Sequence, residues 1–155
     1  MPQESSTAEN GPIEDLGPVD ALVQLSFLIQ SVLARAGAAH DLSVSQLRLL
    51  GIIRDRDAGM LELAAYLGLD KSSVTGLIDR AEKRSLVKRA RATGDGRSLR
   101  VSLTSTGLDL AAVVEAQIRT EIAALIEPLS ARQQAQLTAL ATAVVHAQRR
   151  PKGVP

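Results

Sequence analysis

The chain has 155 residues, 45% hydrophobic and 23% charged, which fits one soluble globular domain with or without appended helices. With one Tyr, one Phe and no Trp, the core must be aliphatic, and recognition of single strands by stacking on aromatic platforms is all but excluded. The absence of Cys excludes disulfides, thiolate zinc sites, cysteine nucleophiles and thiol-based redox sensing, and a formal net charge of +1 argues at first sight against a nucleic-acid partner.

Residues 1–17 are polar and acidic, with Pro2, Gly11, Pro12 and Gly17, and read as a disordered tail. Met1-Pro2-Gln3-Glu4 lacks the basic start and apolar stretch of a signal peptide. No run approaches the roughly 18 apolar residues that a membrane-spanning helix requires, so a cytoplasmic protein with no membrane partner is expected. A first helix starts near Pro18, a residue suited to the first helical turn. Its stripe is Leu22, Leu25, Ile29, Val32, Leu33 and Ala36, and Gly37 with the following 38–41 stretch ends it. Ser43 or Ser45 caps a second helix with Leu47, Leu50, Ile53 and Leu49 inward. After a polar turn over residues 54–59 comes a short helix over residues 61–67. Asp70 then caps a helix from Lys71 to about Ser85, with Val74, Leu77, Ile78 and Ala81 buried.

The period then changes from helix to strand. Leu99, Val101 and Leu103 alternate with Arg100 and Ser102, residues 86–91 form the partner strand, and Thr93-Gly94-Asp95-Gly96 supplies the turn. Thr104 caps a long helix from about Ser105 to Glu127, carrying Leu108, Ala111, Val114, Ile118, Ile122 and Leu125, and Pro128 stops it. Ser130 and Gln133 form a capping box for a last helix with Leu137, Leu140, Val144 and Val145. Residues 149–155 are a short basic tail.

The charge is unevenly spread along these elements. Residues 1–20 carry −5, residues 21–70 −1, residues 71–100 +6 and residues 101–155 +1. A basic block of thirty residues in neutral surroundings is the footprint of a polyanion partner, or else a solvated charged face.

The block begins where residues 61–78 have the pattern of two helices crossing at a tight turn. Ala64 must be small where the second helix passes. Gly68 stands where the chain needs a positive φ. Leu63, Leu67, Leu69, Val74 and Leu77 fill the angle. This is a helix-turn-helix, and a basic hairpin follows it. The outer face of the second helix carries Lys71, Ser72, Ser73, Thr75, Gly76, Arg80 and Lys83, placed for phosphates and base edges. Gly76 costs a helix about 1 kcal/mol relative to Ala; either the backbone comes very close to DNA there or a side-chain contact was lost. Arg97 at the hairpin tip could enter a minor groove, with Asp95 orienting it and Lys88, Arg89, Arg91 and Arg100 on the flanks. Ordinary edge-strand charge is the plainer reading of these arginines.

With these residues in place the stretch from Leu42 to Val114 resembles the winged helix-turn-helix core of MarR-type transcriptional regulators. The resemblance runs through residues 61–75 (Leu-Glu-Leu-Ala-Ala-Tyr-Leu-Gly-Leu-Asp-Lys-Ser-Ser-Val-Thr), Leu77-Ile78-Asp79-Arg80, Asp95-Gly96-Arg97 and residues 101–107 (Val-Ser-Leu-Thr-Ser-Thr-Gly). Two positions depart from the family. Gly76 replaces a larger, often basic, residue, and Ser85 stands where Gly often closes the recognition helix. The resemblance implies a mainly α fold with a small β-hairpin wing. A disordered tail (1–17) would be followed by an N-terminal dimerisation helix (18–41), a DNA-binding lobe (42–104), C-terminal dimerisation helices (105–148) and the tail 149–155. It implies a homodimer on a pseudo-palindromic operator, a repressor released by a small, often phenolic, effector held between lobe and dimerisation helices. The DNA-binding residues would be Lys71, Ser72, Ser73, Thr75, Gly76, Arg80, Lys83, Arg91, Asp95 and Arg97. No polar cluster marks the effector cleft. No catalytic residue, metal site or cofactor is expected: the sequence has no nucleophile elbow, no phosphate-binding Gly-rich loop and no zinc-binding His pair, and its histidines are His40 and His146 alone. The alternatives are a winged-helix module that binds proteins rather than DNA and, further off, a small enzyme.

Overall fold

The structure, a computed structural model, describes residues 16–91 and 99–149. Asp95 and Arg97, and with them the expected hairpin turn, lie outside the described residues, as do most of the acidic tail and the end of the basic one.

Six helices and three short strands are described: α1 (Pro18–Ala38), α2 (Val44–Ile53), β1 (Ala58–Gly59), α3 (Met60–Leu67), α4 (Lys71–Lys83), β2 (Val87–Arg91), β3 (Leu99–Leu103), α5 (Ser105–Ile126) and α6 (Ala131–Arg149). The mainly helical architecture with a small sheet is the expected one. The helix starts are set locally. Pro18 opens α1. At α2 the backbone N–H of Gln46 donates to Ser43 Oγ at 3.2 Å while Gln46 Oε1 accepts from the Ser43 N–H at 2.9 Å, so of the two serines it is Ser43 that caps. Asp70 caps α4, Thr104 caps α5, and Ser130 with Gln133 opens α6. Each satisfies backbone N–H groups that the first helical turn leaves without partners.

The sheet differs from the expectation of a lone hairpin. Its order is β1-β3-β2, all antiparallel, with Ala58 opposite Val101 and Val87 opposite Leu103. β1 has only two residues, too few to show a strand period. It begins inside the stretch expected to be a polar turn, and Ala58 is fully buried.

The core lies where α2, α3, α4 and the sheet meet. Leu49, Ile53, Leu63, Val74, Ile78, Val87 and Val101 are its largest enclosed side chains. All four residues expected inward on α4 are buried. The stripes of α1, α5 and α6 are another matter. Leu22, Leu108, Leu140, Val144 and Val145 are exposed, and α6 packs hardly at all against the rest of its own chain. The hydropathy reading of α1 is corrected too. It has 21 residues and an 18-residue window of mean hydropathy 1.4, enough by length and composition to cross a membrane. Here it is a packing helix: Val32, Ala36 and Gly37 are buried, and Arg35 reaches Glu121 of α5 at 2.7 Å.

Candidate nucleic-acid interface

α3 and α4 are joined by the tight turn that the sequence calls for. Gly68 has φ 66° and ψ 33°, a left-handed conformation that an L side chain adopts only at a cost. The turn closes with the Leu69 N–H donating to the Ala64 carbonyl at 3.1 Å. Leu63, Leu67, Val74 and Leu77 are buried in the angle and Leu69 half-buried. At the far end of α4 the chain turns again with a positive φ, 56°, at Ser85. Here a serine takes the left-handed position that the resemblance assigns to Gly.

With one face locked into the core, the other is presented outward. Lys71, Ser72, Ser73, Arg80 and Lys83 are exposed, and Thr75 and Gly76 half-exposed. The hydroxyls near the helix start are already ordered. Ser72 Oγ donates to Asp70 Oδ1 at 2.5 Å and Ser73 Oγ to Asp70 Oδ2 at 2.7 Å, while Thr75 Oγ1 donates to the Lys71 carbonyl at 2.8 Å. The Ser72 and Ser73 hydroxyl bonds, with the Ser73 N–H at 2.9 Å, hold the Asp70 carboxyl well below the usual carboxylate range, the Ser72 bond contributing most.

A polar groove of about 410 Å³ runs between the start of α2 and α4, lined by Ser43, Ser45, Ser72, Ser73, Gly76 and Arg80 among others. Ser43 and Ser45 were legible as caps only; that they face α4 depends on how α2 packs. Gly76 has room for a Cβ, which would meet only Arg80 Nη1, at 3.4 Å. Nothing inside the chain requires glycine there.

The basic block divides in two. Arg84 donates to the carbonyls of Asp41 and His40 at 2.6 and 2.9 Å. Arg89 pairs with Asp79 and Glu82 and so fastens β2 to α4. Arg100 donates to the Asp57 carbonyl at 2.5 Å and stands 4.0 Å from Glu62. Arg89 and Arg100, expected on the hairpin flanks as anion contacts, are therefore tied into the fold. Lys71, Arg80, Lys83, Lys88 and Arg91 make no ion pair with a described residue.

A second site was not legible in the sequence. Between α2 and α5 lies an apolar groove of about 150 Å³, lined by Leu47, Leu50, Ala111, Val114 and Ile118, with Arg54 and Glu115 also in its wall. Arg54 and Glu115 form an ion pair across it, which holds the Glu115 carboxyl below its ordinary value. They are 61 residues apart in sequence, so no local pattern announces them.

Comparison with known proteins agrees with this geometry. A model of the MarR family matches residues 40–98. The HTH-type transcriptional regulator PecS of Dickeya dadantii is 27% identical over 133 residues, covering 83% of this chain and 80% of its own length. The fold is similar to that of wild-type apo MarR from E. coli, with a TM-score of 0.71, 22% identity, and 84% of this chain and 98% of that one covered. It is similar also to NadR, solved in complex with 4-hydroxyphenylacetate, with a TM-score of 0.69, 20% identity, and 93% and 97% covered. The winged-helix fold and the resemblance to MarR-type regulators are borne out.

Proposed function

We infer, from a chain that resembles MarR-type regulators in sequence and in fold, that it is a sequence-specific duplex-DNA-binding transcriptional regulator of the cytoplasm. The observation that carries this reading is α4, pinned to the core by Val74, Leu77, Ile78 and Ala81 and presenting Lys71, Ser72, Ser73, Thr75, Gly76, Arg80 and Lys83 outward. A helix of that kind suits a major groove. Lys71, Arg80, Lys83 and Arg91 supply phosphate contacts, Thr75 and Gly76 face the bases, and Arg97, oriented by Asp95, serves the minor groove.

The working unit in this reading is a homodimer. The bare stripe of α6 and the apolar groove between α1, α5 and α6, about 420 Å³ and lined by Leu25, Ile122, Leu137 and Val145 among others, suit a second copy. Two-fold symmetry would then set two copies of α4 on successive major grooves of a pseudo-palindromic operator. The α2–α5 groove is the effector cleft. A small, phenolic molecule entering it would part Arg54 from Glu115, the ion pair between the DNA-binding lobe and the dimerisation helix α5, and release the operator, so the protein acts as a repressor.

Selection of bound duplexes from a random pool tests the reading. A palindrome should emerge. Arg97→Ala should weaken binding to most sequences alike, while Thr75→Ala should change the preferred sequence. A pool with no enrichment would refute sequence-specific binding.

A further inference from the structure

The ends of α1 and α4 are one kind of turn made twice. At the end of α1 the Leu42 N–H donates to the Gly37 carbonyl at 2.9 Å and the Asp41 N–H to the Ala38 carbonyl at 3.2 Å, with Asp41 at φ 54°. At the end of α4 the Leu86 N–H donates to the Ala81 carbonyl at 3.0 Å and the Ser85 N–H to the Glu82 carbonyl at 2.8 Å, with Ser85 at φ 56°. In each turn a left-handed residue reverses the chain and the leucine after it is buried. This pair of bonds closes a helix end but leaves its last carbonyls open.

Arg84 joins the two turns. It stands immediately before Ser85, and its guanidinium donates to the His40 carbonyl at 2.9 Å and to the Asp41 carbonyl at 2.6 Å. These are carbonyls at the negative end of the α1 dipole, where a cation is favoured. The fork of a guanidinium spans both of them, which a single ammonium does not. Apart from this clasp, α1 and α4 pack little against each other. Both turns are firm. A Cβ on Gly37 would collide with the Leu42 carbonyl, so the first turn has no slack. The second is held by Thr104 at the start of α5, whose Oγ1 donates to the Ser85 carbonyl at 2.5 Å. The C-terminal end of α4 is thus fixed to α1 and α5 together.

We propose that Arg84 is a positioning residue that sets the spacing between the two half-sites which the dimer accepts. The inference rests on the duplex-binding dimer proposed above. In that dimer α1 and α5 belong to the arms that join the two copies, and Arg84 passes the placement of the arms on to α4. It reads no base, because its fork is taken by the two carbonyls. Without the clasp, the outer face of α4 keeps all its side chains but is held less tightly to the arm. One base pair added between half-sites moves one of them by about 3.4 Å and turns it by about 35°. A firm joint rejects such an operator, and a loosened one tolerates it.

The test compares the duplex selected by the full-length protein with the same duplex carrying one extra base pair at its centre. The parent protein should prefer the selected duplex by about a hundredfold and Arg84→Gln by about tenfold, since the change is bounded by what the two bonds of the clasp contribute. Arg84→Lys, which keeps the charge but not the fork, should fall between them. Arg84→Gln should still enrich the half-site sequence of the parent from a random pool. A parent that enriches no paired half-sites would overturn the dimer reading and this inference with it. A parent with paired half-sites whose preference for spacing is unchanged in Arg84→Gln would overturn the inference alone, as would an equal loss of affinity for both duplexes, the mark of a merely structural role.

Discussion

At the scale of single residues, the outer face of α4 is polar at the positions where a groove-reading helix must be, and its one anomaly is Gly76. A Cβ there would make one ordinary contact, with Arg80 Nη1 at 3.4 Å. Gly76→Ala should therefore stabilise the protein by about 1 kcal/mol in denaturant unfolding, the usual difference between these residues inside a helix. It should weaken duplex binding, because the fold supplies no other reason for bare backbone at that point. No gain in stability would show that the helix is constrained in some further way. Asp70 works at the opposite end of the same logic. Its carboxyl is held low by Ser72 and Ser73, so the folded state favours the ionised form. The stability it contributes is complete above about pH 5, begins to fall below the unfolded carboxyl value of about 3.9, and continues to fall towards its lower folded value. Asp70→Ala should lower the melting temperature at neutral pH, and the gap from the parent protein should narrow in acid. A gap independent of pH would show that the carboxylate charge contributes nothing.

At the scale of elements, Gly107 fixes how α5 leaves the sheet. It is buried, and a Cβ there would collide with the Leu86 carbonyl and press on Leu103 Cδ2 at 3.2 Å. The same carbonyl accepts from the Thr104 N–H at 3.1 Å, so it cannot yield easily. Gly107→Ala should cost about 3 kcal/mol, the effect of an overpacked contact against backbone, as a fall in the denaturation midpoint with the slope unchanged. A loss well under 1 kcal/mol would mean that the α5–β2 junction is soft. What the sequence shows of the elements follows from how local each signal is. Ser43, Gly68, Asp70, Thr104 and Ser130 act within four residues of themselves, and all of them do in the structure what their positions imply. β1 has two residues and exists only because β3 pairs with it. Arg89 and Arg100 look like free cations in sequence; their partners Asp79, Glu82 and Asp57 are assembled by packing. The Arg54–Glu115 pair is legible only once α5 crosses α2.

At the scale of the whole molecule, the single chain leaves large apolar side chains of α6 uncovered. Leu140 and Val144 of α6 are 69% and 61% exposed, and a second copy of the chain is the proposed cover. Replacing both with Glu should convert a dimer into a monomer in sedimentation, with the helical spectrum kept. A parent protein that already sediments as a monomer would contradict the dimer. The charge of the whole also changes its meaning. A net +1 conceals +6 over residues 71–100. Three arginines of that block are spent inside the fold, while Lys71, Arg80, Lys83, Lys88 and Arg91 make no ion pair with a described residue. If those cations meet phosphates, each contact releases counterions, and affinity must fall with salt at a slope of about −0.9 per phosphate neutralised. The direct measurement is the binding constant for the selected duplex across a series of salt concentrations. The account predicts a steep linear fall of log affinity against log salt, made shallower by about one contact in Arg80→Gln; an affinity flat in salt for every duplex tried would contradict it.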